Sequence, residues 1–284
     1  MDLGLSILIS VYNWDIESFI QELHLQATAL NIPFEIKVYN DCSTKHFSSE
    51  FEKLEHVEYV ILKTNLGRSK VRNKLAEDAK YSKLLFLDGD SFPKTKNFLH
   101  NYWKENLSES EIFCGGTAYR GLEKNEKPKL RWVYGKAREE GGKDKCFAAN
   151  NFMVWKSQFL NIKFNEQIKG YGHEDTLFGI DWESEGYLIR NINAPLLHLG
   201  LETDIEFFNK TKEGVENLKL LYSENRVEAR HNKLIKFHEK LALKPVLSGF
   251  IFILYPVIKY MVVSQHNLFF FDIIKWYWFN AKEK

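Results

Sequence analysis

The stretch "LLFLDGDSFP", residues 84–93, decides how this chain is to be read. Leu84, Leu85, Phe86 and Leu87 form a short continuous apolar run, the pattern of a strand buried on both faces. Such a strand ends most cheaply in something easily solvated. This one ends in Asp88 and Asp90, two carboxylates separated only by Gly89. Two hard oxygen donors one residue apart suit a divalent cation such as Mg2+ or Mn2+, whose remaining ligands come from water or a phosphate-bearing substrate. An isolated Asp-x-Asp is better explained by a solvated turn, so its surroundings must decide.

Working outward, residues 3–11 ("LGLSILISV") form a first apolar, β-branched strand. Asp15 is placed to cap a helix carrying Ile16, Phe19, Ile20, Leu23, Ala27 and Leu30 at helical spacing. A second strand is expected over 34–39, a third over 57–62, then a helix carrying Val71, Leu75 and Ala79 before the strand at 83–88. Strands alternating with helices predict a parallel sheet with right-handed crossovers. Ligands of such sheets bind beyond the carboxyl ends of the strands, which places Ser10, Asp41 and Asp88–Asp90 along one rim. No GxGxxG or GxxxxGK[ST] loop follows the first strand, which argues against a dinucleotide fold or a P-loop.

Beyond residue 93 the alternation weakens. The pattern predicts a helix over 98–107, strands over 111–119 and 147–155, and a glycine-rich turn entering a helix over 169–186. Residues 120–146 are charged and glycine-containing with few apolar anchors, which predicts a mobile segment over the site. In "GYGHEDTLFG", His173, Glu174 and Asp175 open a helix, where the dipole favours carboxylates. Three consecutive ionisable residues are more than a cap needs.

The 284 residues, 44% hydrophobic with a net charge of +1, can bury a large core and show no basic excess for a nucleic acid. Cys42, Cys114 and Cys146 have neither disulfide-framework nor zinc spacing, which predicts reduced thiols and a cytoplasmic setting. No basic segment followed by an apolar core opens the chain, so no secretion signal is expected.

Taken together, "LSILISVYN", "EIKVYNDCST", "NLGRSKVRN", "LLFLDGD" and "GYGHEDTLFG" resemble, in order, the motifs of the family 2 glycosyltransferases over residues 3–200. "RWVYGKAREE" and "LLHLGLE" resemble a bacterial subset. The resemblance implies a GT-A type, Rossmann-like α/β fold with a mixed, mainly parallel central sheet flanked by helices and a helical C-terminal tail. It implies a catalytic domain over 1–225 and an extension over 226–284. Its activity would be inverting, metal-dependent transfer of a sugar from a nucleotide diphosphate donor, a UDP-sugar favoured. The acceptor would be a hydroxyl of a glycan or lipid-linked molecule in bacterial surface polysaccharide synthesis.

Carried over residue by residue, the nucleotide site comprises Ser10, Tyr12, Asp41, Asn65, Arg68, Arg72, Asp88 and Gly89, with Asp41 on the base. Here Asn40 stands where a second aspartate is common and Cys42 where glycine is frequent, which loosens the uridine preference. Asp90 and His198 would hold Mn2+ or Mg2+. Asp175 would be the general base, and Glu174 would hold an acceptor hydroxyl or orient the loop. Two other readings keep the fold: a sugar-phosphate nucleotidyltransferase, which would want a glycine- and lysine-rich loop where "SVYNWD" stands, and a catalytically silent nucleotide-sugar-binding membrane adaptor, against which both Asp90 and Asp175 argue.

The tail holds "VLSGFIFILYPVIKYMVV" (246–263), mostly apolar but with Pro256 and Lys259 inside, and the aromatic "LFFFDIIKWYWFN" (268–280). Residues 246–280 therefore suit a membrane-surface helix, packing on the catalytic domain or a partner chain, or a span. Lys233, Lys236, Lys240 and Lys244 precede them and could meet anionic lipid.

Overall fold

The structure, a computed structural model, describes residues 3–141, 147–168, 170–242 and 244–281. Its first half follows the alternation: β1 (Leu5–Val11), α1 (Glu17–Ala29), β2 (Phe34–Asn40), β3 (Val57–Ile61), α2 (Arg68–Asp78) and β4 (Lys83–Asp88). The order β3-β2-β1-β4 is parallel throughout, so the carboxyl ends of β1, β2 and β4 share one rim. Leu5, Ile7, Ile9, Leu85 and Leu87 face one buried layer while Leu8, Leu84 and Phe86 face the other, as strands covered on both sides require.

The chain then passes through β5 (Ser91–Pro93), α3 (Phe98–Trp103), β6 (Glu111–Cys114), β7 (Thr117–Ala118), α4 (Leu130–Arg138), β8 (Asn151–Trp155) and α5 (Lys156–Ile162). After these come α6 (Glu174–Ser184), β9 (Leu188–Asn191), β10 (Leu196–His198) and α7 (Asp204–Ser223). Strand β8 adds antiparallel to β4, β6 antiparallel to β8, and β9 parallel to β6, completing a mixed, mainly parallel sheet of seven strands. A small second sheet, β5-β10-β7, folds the segment after Asp90 back so that His198 pairs with Ser91.

Four local expectations are corrected. Asp15 accepts from Glu17 N–H at 3.0 Å, but Ile16 is the residue at the helix boundary. The helix at 98–107 stops at Trp103. The strand expected over 111–119 breaks into β6 and β7 at Gly115-Gly116. A Cβ on Gly115 would lie 2.3 Å from the Ala194 carbonyl oxygen and 2.4 Å from Tyr102 Oη, and Gly116 has φ +85°, so only glycines allow the chain to change sheets there. Within the segment 120–146, expected to be mobile over the site, the described residues include α4, which buries Leu130, Arg131 and Gly135. Cys146 and the rest of 142–146, together with Lys169, lie outside the described residues.

The tail folds as α8 (Lys233–Lys240), α9 (Lys244–Val263) and α10 (Leu268–Asn280). These helices share a third buried cluster with α4 and α7, in which Leu130, Phe207, Phe208 and Leu218 meet Phe271, Ile274, Trp276 and Trp278. The tail is thus packed on the body, and the cluster runs across residue 225.

Candidate active site

Glycine spacing and close approach shape the rim. Gly89 N–H donates to Ser10 O at 3.1 Å, and a Cβ on Gly89 would lie 2.9 Å from that oxygen, so β4 ends tight against β1. The turn displays Asp88 and Asp90 on the open side, both partly exposed. Tyr12, one residue past β1, is half exposed over the same rim.

Asp41 is buried at the end of β2. Its two carboxylate oxygens accept from Leu66 N–H at 2.6 Å and Gly67 N–H at 2.9 Å, while Asn65 donates to its backbone carbonyl at 2.9 Å. The carboxylate thereby fixes the loop that starts α2, at a Gly67 with φ +79°. That loop lines a cavity of about 270 Å³ with Asn65, Arg68 and Glu174 on its wall.

Arg72, one turn into α2, is 4% exposed. Its guanidinium donates to Asp88 Oδ1 at 2.8 Å and to Glu174 Oε1 at 3.3 Å, with the Phe164 ring 5.4 Å away. Arg68, half exposed, approaches the same Glu174 oxygen at 3.9 Å and lies 4.6 Å from the centre of the Tyr171 ring. A planar fork is suited to holding two carboxylates at once. The end of β4 is therefore tied to the start of α6. Of the two roles expected of Glu174, this burial favours orienting the loop.

The start of α6 is built by left-handed backbone: Gly170, Gly172 and His173 have φ of +75°, +94° and +70°. His173 hydrogen-bonds Thr176 Oγ1 at 3.1 Å, and burial lowers its pKa to about 4, so the ring is neutral at neutral pH. Asp175 accepts from Thr176 N–H at 2.7 Å. Burial first, and the neighbouring Glu174 charge second, raise its carboxyl to about 7, with Arg72 and Arg68 pulling the other way. A carboxyl poised there is suited to exchanging a proton near neutrality.

Asp90 and His198 come together: His198 Nδ1 lies 3.7 Å from Asp90 Oδ1. Among the described residues no group of three His, Cys, Asp or Glu side chains converges as a metal cage. An oxygen donor beside an imidazole, on an open rim, is a donor set a divalent cation accepts only if the substrate completes the shell, as with diphosphates. The residues fit such a cation. Burial pushes the Asp90 carboxyl up while His198 and Arg68 restrain it.

Sequence reasoning did not find the wall behind His198. Tyr119 packs edge-on against His198 with ring centroids 5.9 Å apart and donates its hydroxyl to Glu139. Glu139 is gripped by both Arg131 nitrogens at 2.9 Å, and the Arg131 guanidinium packs on Tyr119 and Phe207. Sequence gave no signal for these pairings beyond the density of charge in 120–146.

Comparison with known proteins bears on the family and the fold. The family model described as glycosyl transferase family 2 matches residues 6–168, more than half of the chain. No curated protein matches it. Among solved structures, the chain is similar to the mannosyltransferase PcManGT from Pyrobaculum calidifontis. Identity is 12%, with 98% of this chain and 88% of that one covered and a TM-score of 0.60. It is also similar to S. aureus TarS residues 1–349, at 20% identity, 97% and 89% coverage and a TM-score of 0.46. The first of these shares the fold, and the family match covers the strand-end acids and the loop behind them: the chain is a GT-A glycosyltransferase and belongs to glycosyl transferase family 2.

Proposed function

We propose that this chain is an inverting glycosyltransferase that moves a sugar from a nucleoside diphosphate donor, UDP-sugar favoured, to a hydroxyl of a glycan or lipid-linked acceptor. Its place would be bacterial surface polysaccharide synthesis in the cytoplasm, the compartment that suits free Cys42 and Cys114. The observation that carries this is the Arg72 fork: one buried side chain holds the acid of the donor rim and the acid beside the candidate base in a single array.

In this reading the donor diphosphate lies across the rim at Asp88 and Asp90, with Ser10, Tyr12, Asp41, Asn65, Arg68, Arg72 and Gly89 shaping the nucleotide side. Arg72 acts there through Asp88, and Asp41 through the 65–67 loop whose amides it holds. Asp90 and His198 would hold a divalent cation, Mn2+ or Mg2+, which would supply positive charge against the departing diphosphate. PcManGT was solved in complex with GDP-Man and Mn2+, which supports a nucleoside diphosphate sugar and a metal here. Asp175 accepts the proton of the acceptor hydroxyl as its oxygen attacks the anomeric carbon opposite the leaving diphosphate, so configuration inverts. Glu174, held by Arg72, keeps Asp175 in place and its carboxyl basic enough to work near neutral pH.

Thermal unfolding with Mn2+ and, in turn, UDP, GDP and CDP tests the donor side. Stabilisation by UDP alone, lost on chelation and in Asp90→Asn, is the expected result. No stabilisation by any nucleotide sinks the reading, and an equal response to all three removes the uridine preference.

A further inference from the structure

Helix α9 is apolar all the way round. Its inner face, Ile251, Ile258 and Val262, is buried against the third cluster. Its outer face carries Val246, Phe250, Ile253, Val257 and Tyr260 at spacings of three and four. Phe252 and Leu254 flank them, and all seven are at least half exposed, Ile253 to 73%. A helix at a protein surface normally turns polar residues to water; a helix apolar on every side belongs in a core or a bilayer. No Asp or Glu lies on α9; of its two charges, Lys244 opens the helix with its Nζ 3.1 Å from His238 Nε2, and Lys259 is folded inward over the Phe208 ring at 5.6 Å. Twenty residues of α helix extend about 30 Å, and the helix is long and apolar enough by composition to cross a membrane. The inner face, however, is occupied by protein at three positions spread over three turns, so α9 is not available as a lone span wrapped in lipid.

The chain entering α9 carries the complementary charge. On α8, Phe237 is half exposed between exposed Lys236 and Lys240, and the one acid of that helix, Glu239, accepts from Tyr222 Oη at 3.1 Å. The one acid of α10, Asp272, is paired with Arg138 and Lys275. An apolar helix face preceded in the chain by exposed lysines and one exposed aromatic fits hydrocarbon beneath anionic headgroups.

We infer that α9 lies in the plane of an anionic lipid bilayer, its outer face in the hydrocarbon and its inner face on α10 and α7, with α8 seating Lys236, Lys240 and Phe237 among the headgroups. Two of the three alternatives left open by the sequence, lipid contact and packing on the protein, are then met by opposite faces of one helix. This inference does not depend on the transferase reading and goes beyond it.

Flotation of the full chain with phosphatidylcholine vesicles, with and without phosphatidylglycerol, tests it. The wild type rises with the anionic vesicles. Phe250→Glu combined with Ile253→Glu, at outward positions, stays at the bottom while its circular dichroism and melting are unchanged. Lys236→Gln with Lys240→Gln binds anionic vesicles roughly 30-fold more weakly, at about 1 kcal/mol per charge removed, and leaves the residual binding to neutral vesicles unaltered. A wild type that does not float, or a double glutamate variant that floats as well as wild type, overturns the inference. So does a lipid-free dimer that the glutamates dissolve, which would assign the face to a second copy of the chain. Melting with nucleotide and Mn2+ on the same variants separates the two readings, because loss of vesicle binding leaves that shift in place.

Discussion

Gly200 packs against the Asp90 carboxylate so closely that a Cβ on Gly200 would lie 2.2 Å from Asp90 Oδ2. The same loop donates Leu199 N–H and Gly200 N–H to Asp90 O, so the strand-end acid and the segment after His198 hold one another. Gly200→Ala is expected to push the carboxylate off its position beside His198. The backbone there is not left-handed, so the variant should fold with a melting temperature near wild type. Transfer should fall at least tenfold, with more Mn2+ needed to reach half the maximal rate. Wild-type metal dependence in Gly200→Ala would show that Asp90 is not the cation's ligand.

Arg72 is the only guanidinium among the described residues that hydrogen-bonds both Asp88 and Glu174. Arg72→Gln leaves Asp88 without its hydrogen-bonded counter-charge and Glu174 with only the longer Arg68 contact at 3.9 Å. Removing one partner of a buried ion pair costs about 3–5 kcal/mol, readable as a lower urea midpoint. Arg72→Lys keeps the charge but cannot fork, and should recover part of the stability without recovering the rate. If Arg72→Gln unfolds at the wild-type midpoint, the array is not what joins β4 to α6.

The tail is expected to carry stability as well as contact. Trp278 is buried edge-on against Phe208 at 4.9 Å, joining α10 to α7. Trp278→Ala should cost about 3–5 kcal/mol, whereas breaking the half-exposed Arg138–Asp272 pair should cost under about 1 kcal/mol. Denaturant unfolding of the two variants checks the ordering, and a larger loss from the surface pair would contradict it.

How much of this could be read from sequence follows from where each signal lives. The parallel half was legible because β1 and β4, buried on both faces, are written as mostly apolar runs, while β2 keeps Phe34, Ile36 and Val38 in strict alternation. The strand end at Asp88 was legible for the same reason, since carboxylates stand out after such a run. The break at Gly115-Gly116 was not, because its cause is Ala194 and Tyr102, distant in sequence. The partners of Arg72 are 16 and 102 residues away, and Glu139 reaches Tyr119 across 20, so the counter-charges around the acids belong to the tertiary fold. On α9 the apolar pattern was plain, but the division into a packed and an open face needed α7 and α10 in place.

Asp175 makes a prediction about pH that separates function from stability. Its carboxyl is raised to about 7, chiefly by burial and then by Glu174. A base works deprotonated, so kcat/KM should be level above this value and fall about tenfold per unit below it. Glu174→Gln removes the charge that raises it, and should move the acid limb to lower pH. Arg72→Gln removes a charge that lowers it, and should move the limb the opposite way. Stability runs with the reverse sign. Between the ordinary carboxyl value of about 3.9 and about 7, the folded chain binds a proton the unfolded chain has released, so stability declines as pH rises through that window. Asp175→Asn carries no such penalty. At about pH 8 it should be more stable than wild type by on the order of 1–4 kcal/mol, with the difference vanishing at about pH 4, while transfer drops by roughly 10²–10⁴. Sugar transfer and urea unfolding measured at both pH values check each half, and an Asp175→Asn enzyme that is fully active, or less stable at the higher pH, removes Asp175 from its role as the base.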